Sequence, residues 1–126
     1  MLKIFLVLGS LNAFLSVVLG AFGAHALKER LTVESIAIYQ TGVQYHMMHA
    51  IGLILIAIVS EKLVGSSLIH WSGWLLFIGI VLFSGSLYAL SLSGIKILGA
   101  ITPLGGLAFL VGWILFAIAA MSIKVK

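Results

Sequence analysis

Four long runs of apolar residues, separated by short polar segments, dominate the pattern along the chain. The runs cover about residues 4–24, 39–60, 71–91 and 103–122. A helix needs about 20 apolar residues, each rising roughly 1.5 Å, to cross a hydrocarbon core of about 30 Å. Each run is long enough, so the pattern predicts four transmembrane helices that alternate in direction.

The composition supports the same class. Of the 126 residues, 63% are apolar and 8% are charged, with a mean hydropathy of +1.31, whereas soluble domains are about 25% charged. We therefore predict a single-domain, all-α integral membrane protein, an antiparallel four-helix transmembrane bundle. The net charge of +4 comes from cations between and beyond the runs. Such cations anchor helices at the interface, so the predicted partner is the lipid bilayer and not nucleic acid.

Helix-start signals occur before the second and fourth runs. Residues 25–38 carry most of the charges outside the chain ends and are predicted to lie at the interface. Within them, Thr32 is a predicted N-cap. Thr102 and Pro103 are predicted as N-cap and first residue of the fourth helix, because proline lacks an N–H that would be unpaired there anyway. The alternative is a helix that begins near Ile97 and is kinked by Pro103.

The first run carries a row of small residues and one amide. Small residues at spacings of four, three, four and four fall on one helical face, where they permit close packing of another helix or a homo-oligomer. They are Gly9, Ala13, Ser16, Gly20 and Ala24. Asn12, in the middle of the run, is predicted to make an interhelical hydrogen bond, because facing lipid would be costly.

Alternating helices bring many polar residues to one side of the membrane. We predict a polar pocket at that end, with ligand-binding residues His25, Tyr45, His49, Ser84, Ser86, Tyr88 and Thr102. The opposite side has four cations, Lys3, Lys62, Lys124 and Lys126, against Lys28, Arg30 and Lys96 on the polar side. The positive-inside rule then favours both termini in the cytoplasm.

Three histidines raise the question of a metal. His46 and His49 are three residues apart and can share a helical face, and His25 arrives on the adjacent helix. Three imidazoles are suited to a transition metal or a haem iron. However, the chain has no aspartate and no cysteine, and no glutamate lies at the same depth. The alternative is hydrogen bonding across helices, so no cofactor and no catalytic residue are predicted, with His25, His46 and His49 kept as metal candidates.

Several motifs together resemble a known family. They are Gly20-Ala-Phe-Gly-Ala-His25, Gln40-Thr-Gly with Tyr45-His46-x-x-His49, Leu82-Phe-Ser-Gly-Ser-Leu-Tyr88, and Thr102-Pro-x-Gly-Gly106 with Gly112-Trp113. In combination they are similar to the small bacterial inner-membrane family called domain of unknown function four-two-three, which has eukaryotic transmembrane relatives. The resemblance covers nearly the whole chain. It implies a four-helix protein of the bacterial plasma membrane, and it implies no activity.

Three functions remain open at this level. The first is a non-enzymatic membrane protein that binds a small polar or amphipathic ligand, or a partner protein, through the polar pocket. The second is an oligomeric transporter or channel subunit for a small solute. The third is a metal- or haem-linked oxidoreductase or assembly factor.

Overall fold

The computed structural model describes residues 1–125, which form helices and short turns. Lys126, one of the predicted terminal anchors, lies outside the described residues. The α-helices are α1 (Leu2–Phe22), α2 (Val33–Ser60), α3 (Ser67–Gly79), α4 (Gly85–Ser93) and α5 (Thr102–Ala120). A π-helical turn, Gly23–Leu27, extends α1, and a second, Ile80–Ser84, joins α3 to α4. A 3₁₀ turn, Lys96–Ala100, leads into α5.

These elements form four helical spans that are long and apolar enough to cross a membrane. The spans are Leu2–Leu27, Val33–Ser60, Ser67–Ser93 and Lys96–Ala120. Each contains an 18-residue window with a mean hydropathy of at least 1.6. The predicted fold class, an all-α membrane bundle of four helical spans, is confirmed.

The spans pack in chain order. α1 lies along α2, α2 lies along α3 and α4, and α5 lies along α3. Close approach between α1 and α2 depends on the predicted row of small residues, since a Cβ added to Gly9 would lie 2.9 Å from the carbonyl oxygen of Ala50. Ser16 of the same row is buried, whereas Ala24 is exposed. Most of that row therefore serves contact within the chain.

A buried apolar cluster fills the part of the bundle towards the chain ends. Its larger members are Phe5, Leu53, Ile56, Ile69, Leu76 and Phe109. Phe5 of α1 packs edge-on against Trp74 of α3, with ring centroids 5.5 Å apart. This cluster joins all four spans. The buried histidines, asparagine and tyrosines lie at mid-depth or towards the other end of the bundle.

The two predicted helix starts have different outcomes. The Thr32 hydroxyl oxygen accepts a hydrogen bond from the backbone N–H of Ser35 at 3.1 Å, so the predicted N-cap of α2 is confirmed. Thr102 is not a cap, because it is the first residue of α5 and its hydroxyl pairs with that of Ser86 at 2.6 Å. That part of the prediction is wrong, because the contact between helices uses the hydroxyl that would have capped the helix. Pro103 does lie in the first turn.

Candidate functional site

A groove of about 560 Å³ lies between α2 and α5, beside the π-helical turn that joins α3 to α4. Its lining is aromatic and aliphatic except for one histidine and one phenol. The lining residues are Tyr45, Met48 and His49 of α2, Phe83 of the turn, and Pro103, Gly106, Leu107, Phe109, Leu110 and Trp113 of α5. A volume of about 300–1,000 Å³ and a largely apolar wall are typical of small-molecule sites.

The length of the groove corresponds to one leaflet of a bilayer. Pro103 lies at the first turn of α5, and Trp113 lies near the middle of that helix. The ten residue steps from one to the other rise about 15 Å at roughly 1.5 Å each, which is half of a hydrocarbon core of about 30 Å. The groove is therefore about as long as one leaflet is deep.

His49 forms a rigid part of the groove wall. Its ring stacks on Phe109, with centroids 3.5 Å apart and planes 10° apart. The indole N–H of Trp113 donates to His49 Nε2 at 3.0 Å, and His49 Nδ1 lies 2.7 Å from the carbonyl oxygen of Tyr45. Because an indole nitrogen only donates and a carbonyl only accepts, the neutral His49 ring carries its proton on Nδ1. Both ring nitrogens are thus occupied by bonds within the protein.

Tyr45 supplies a free polar group in the groove. Its ring packs against Phe83 at 4.6 Å and lies parallel to His49 at 6.0 Å, so the ring is held on two sides. Among residues 1–125, every buried side-chain nitrogen and oxygen has a hydrogen-bond partner, and the half-buried Tyr45 hydroxyl has none. This hydroxyl is therefore accessible to a molecule that occupies the groove.

His46 belongs to a separate, buried polar network between α1, α2 and α4. The Asn12 amide nitrogen donates to the Leu8 carbonyl at 2.8 Å, which leaves the Asn12 amide oxygen to accept from His46 Nε2–H at 2.9 Å. The remaining nitrogen, Nδ1, then accepts from the Tyr88 hydroxyl at 2.9 Å. The predicted interhelical hydrogen bond of Asn12 is confirmed. His46 and His49 hold their protons on opposite nitrogens because their neighbours differ.

The remaining predicted site residues lie away from the groove. The Ser84 hydroxyl donates to the Gly42 carbonyl at 2.8 Å, and Ser86 pairs with Thr102. His25 is exposed in the π-helical turn at the end of α1. Of the seven predicted ligand-binding residues, Tyr45 and His49 line the groove, Ser84, Ser86, Tyr88 and Thr102 join helices, and His25 faces outward. They do not form one shared pocket.

The three histidines kept as metal candidates also lie apart. His46 points between α1 and α4, His49 points towards α5, and His25 is exposed. In the part of the chain that the structure describes, no group of three or more His, Cys, Asp or Glu side chains could hold a metal ion. His46 and His49 instead form hydrogen bonds across helices, which is the alternative to a metal site that the sequence left open.

Sequence reasoning missed most of the groove wall. Phe109 and Leu110 have nothing in the sequence that separates them from other apolar residues of the spans. Phe83 lies within the motif from Leu82 to Tyr88, but nothing in that motif indicates a groove. Trp113 did carry a signal, because membrane tryptophans favour the interfaces and this one lies near the middle of α5. A buried indole N–H usually has an acceptor, which predicts a polar partner on another helix.

Comparison with known proteins gives the family. A family model described as "Protein of unknown function (DUF423)" matches residues 19–106, which is 88 of the 126 residues. The chain belongs to the DUF423 family. The resemblance drawn from the sequence motifs is thereby confirmed. The DUF423 match includes Tyr45, His49, Phe83 and Gly106 of the groove and ends before Trp113.

Relatives of this DUF423 protein are named as membrane proteins. The UPF0382 membrane protein YwdK of Bacillus subtilis (strain 168) is 53% identical over 120 residues, which is 95% of this chain and 98% of the relative. A UPF0382 membrane protein of Staphylococcus epidermidis (strain ATCC 12228) is 47% identical over 95% of this chain and 97% of its own. The UPF0382 membrane protein SAB0533 of Staphylococcus aureus is 44% identical over 94% and 95%. No solved structure matches the chain.

Proposed function

We propose that this DUF423 protein is a non-enzymatic membrane protein that binds one hydrocarbon chain of an amphipathic molecule in the groove between α2 and α5. The observation that carries the proposal is the combination of a leaflet-deep, apolar groove with one free hydroxyl, that of Tyr45. The hydrocarbon chain lies along Leu107 and Leu110 and reaches Trp113 at the centre of the membrane. The polar head lies at the interface near Pro103.

Selectivity in this groove has to come from shape and hydrogen bonding. A lipid chain gains little hydrophobic free energy by leaving other lipid chains for an apolar wall, because both surroundings are equally apolar. Dispersion contacts with a wall that fits the chain favour binding. The stacked His49 and Phe109 rings keep part of the wall fixed, and a fixed wall reduces the entropy lost on binding.

Tyr45 sets the second requirement on the ligand. It lies one helical turn from His49 along α2, towards the interface, which is about 6 Å at roughly 1.5 Å per residue. A hydrogen bond in this low-dielectric region is stronger than one in water. The favoured ligand therefore carries a hydrogen-bonding group one turn above the level of His49, with its hydrocarbon chain below.

His49 acts in this proposal as a structural residue. Its two nitrogens already bond to Trp113 and to the Tyr45 carbonyl, so it presents a ring face to the groove and no free nitrogen. That arrangement supports binding over acid–base chemistry, because a general base needs a nitrogen within reach of the proton it removes.

We also propose the bacterial plasma membrane as the location, with both termini in the cytoplasm. The bacterial relatives support this location, and the cations near the chain ends support this orientation. The chain has no cysteine, so single cysteines at Ser66 and at Arg30 can report the two sides. In intact cells an impermeant maleimide is expected to label Arg30→Cys and to spare Ser66→Cys, and the reverse pattern would invert the topology.

The binding proposal is tested by filling the groove. A Cβ added to Gly106 lies 3.8 Å from the nearest Phe83 ring atom, so Gly106→Phe extends into the groove without a backbone clash. Leu104→Phe is the matched control, since Leu104 is on α5, 60% exposed and outside the groove lining.

Purified wild-type protein and both variants are compared by native mass spectrometry for amphipathic molecules retained from the membrane. Wild type and Leu104→Phe are expected to retain one molecule per chain, and Gly106→Phe is expected to lose it. Tyr45→Phe is expected to weaken retention and shift the retained species towards those without a hydrogen-bonding group at that depth. Equal retention by wild type and Gly106→Phe, or no retention by wild type, would refute the proposal.

A further inference from the structure

The outer face of α2 carries an amide at membrane depth. Gln44 is exposed and lies two residues from His46, whose ring bonds to Asn12 in the middle of α1. Gln44 therefore lies within the apolar part of α2, about 7.5 Å from the level of His49 at roughly 1.5 Å per residue. The Gln44 side chain makes no hydrogen bond with any of residues 1–125. An amide turned towards lipid without a partner is costly, because the hydrocarbon offers no donor or acceptor.

The residues around Gln44 have the spacing of a helix–helix seam. Exposed positions along α2 follow intervals of four and three, at Ala37, Thr41, Gln44, Met48, Ile51 and Leu55. Such alternation is the heptad pattern by which two helices pack along their length. Within this face the Thr41 hydroxyl already donates to the Ala37 carbonyl at 3.0 Å. Gln44 is therefore the group at the centre of the face that still needs a partner.

Neighbouring helices leave this face free. α1 covers one side of α2, where Gly9 approaches Ala50 and Asn12 bonds to His46. α4 covers another side, where the Tyr88 ring lies over Gly42. Gln44 lies at the α1 side of this face, beside Gly20 and Ala24. No hydrogen bond joins it to either residue, so we look for its partner outside the chain.

We propose that this face is a homodimer interface in which Gln44 pairs with Gln44 of a second copy. A glutamine amide both donates and accepts, so two of them can bond reciprocally. Two copies inserted in the same orientation meet at equal depth, and a two-fold axis along the membrane normal places each residue opposite its own counterpart. A second copy thus supplies the required amide at the required depth, which a different protein would have to match separately. A buried polar residue in a heptad seam also fixes register and oligomer state.

Disulfide trapping tests the interface, because the chain has no cysteine of its own. Thr41→Cys and Leu55→Cys lie on the proposed interface, while Val18→Cys on α1 and Leu104→Cys on α5 are matched controls at exposed positions. Each protein is reconstituted at a low protein-to-lipid ratio in vesicles of phosphatidylethanolamine and phosphatidylglycerol and then oxidised. Crosslinked dimers are expected from the two α2 variants and not from the controls.

The role of the amide is tested by substitutions at Gln44 in the Leu55→Cys background. Gln44→Leu is expected to weaken dimerisation about tenfold, measured as the protein-to-lipid ratio for half-maximal crosslinking, because two interhelical hydrogen bonds are lost. Gln44→Asn keeps an amide and is expected to retain most of the dimer. Far-UV circular dichroism checks that each variant stays helical.

Three results would overturn the inference. They are equal crosslinking at Leu55 and at the control positions, monomers in vesicles for all α2 variants, and dimerisation unchanged by Gln44→Leu. Met48 belongs both to the dimer face and to the groove wall, whereas Gln44 does not line the groove. Gln44→Leu is therefore expected to weaken the dimer and to retain the bound amphipathic molecule, which separates the two proposals.

Discussion

Replacing Asn12 with leucine removes the acceptor of the hydrogen bond from His46 Nε2–H while nearly preserving side-chain volume. Asn12 is 8% exposed and His46 is 4% exposed, so water cannot take the place of the lost acceptor. The ring cannot turn to find another, because Tyr88 holds its other nitrogen at 2.9 Å. A buried donor left unpaired costs about 1–3 kcal/mol, and hydrogen bonds within membranes are worth about 0.6–1.7 kcal/mol. We therefore expect Asn12→Leu to lower the free energy of unfolding by about 2 kcal/mol.

The double variant Asn12→Leu/His46→Leu provides the sharper test. Removing both partners leaves no imidazole N–H without an acceptor. The Tyr88 hydroxyl loses its acceptor in the double variant as it does in His46→Leu alone, so this loss cancels in the comparison. The double variant is therefore expected to lose less unfolding free energy than the two single variants, Asn12→Leu and His46→Leu, lose together. Unfolding in mixed detergent micelles, followed by circular dichroism, measures all three. Ser10→Leu is the control, because Ser10 is exposed on the same helix and its loss is expected to cost nothing.

The reasoning would be refuted if the losses of unfolding free energy in the two single variants added up to the loss in the double variant. It would also be refuted if Asn12→Leu were as stable as wild type. Either result would mean that the hydrogen bond between Asn12 and His46 contributes no net stability, and that the other contacts between α1 and α2 hold the two helices together, among them the bond from the Tyr39 hydroxyl to the Leu19 carbonyl.

Two further predictions concern α5. Gly105→Ala is expected to destabilise the fold by about 1–3 kcal/mol, because the added Cβ would lie 2.3 Å from the backbone nitrogen of Phe83. Gly106→Ala is expected to be near neutral, because its added Cβ would lie 3.8 Å from the nearest atom of the Phe83 ring. Equal unfolding midpoints for the two variants would refute this prediction. Trp113→Phe leaves His49 Nε2 without its donor and is expected to cost about 1–2 kcal/mol in the same assay, and His49→Phe in that background is expected to recover part of the loss. If His49→Phe restored none of the lost stability, the result would contradict the hydrogen bond between Trp113 and His49.

Much of the fold was predictable because its causes are local or compositional. The four runs of apolar residues identify the spans without any knowledge of their packing, and Thr32 marks the start of α2 through a bond to Ser35 within one turn. Thr102 has the same local signal, yet its hydroxyl pairs with Ser86 from another span. A hydroxyl with two competing partners, one local and one distant, cannot be assigned from local pattern alone.

The site was less predictable because it depends on angles between helices. Residues three apart on a helix differ by about 60° around its axis, at 3.6 residues per turn. That difference is small enough to suggest a shared face for His46 and His49, and large enough to direct one ring towards Asn12 and the other towards Trp113. The π-helical turn at Ile80–Ser84 places Phe83 in the groove, and no feature of the sequence pattern indicated that turn.

Polar groups at membrane depth are informative because hydrocarbon cannot substitute for a missing partner. In a soluble protein a free surface hydroxyl or amide bonds to water and indicates little. Here the imidazoles of His46 and His49 are paired across helices, and they fix the register of the spans. Tyr45 and Gln44, which are adjacent in α2, are left without partners among residues 1–125 and point to different sides of the helix. Since the packing of the chain accounts for neither, these two groups are the basis of the groove proposal and of the dimer proposal.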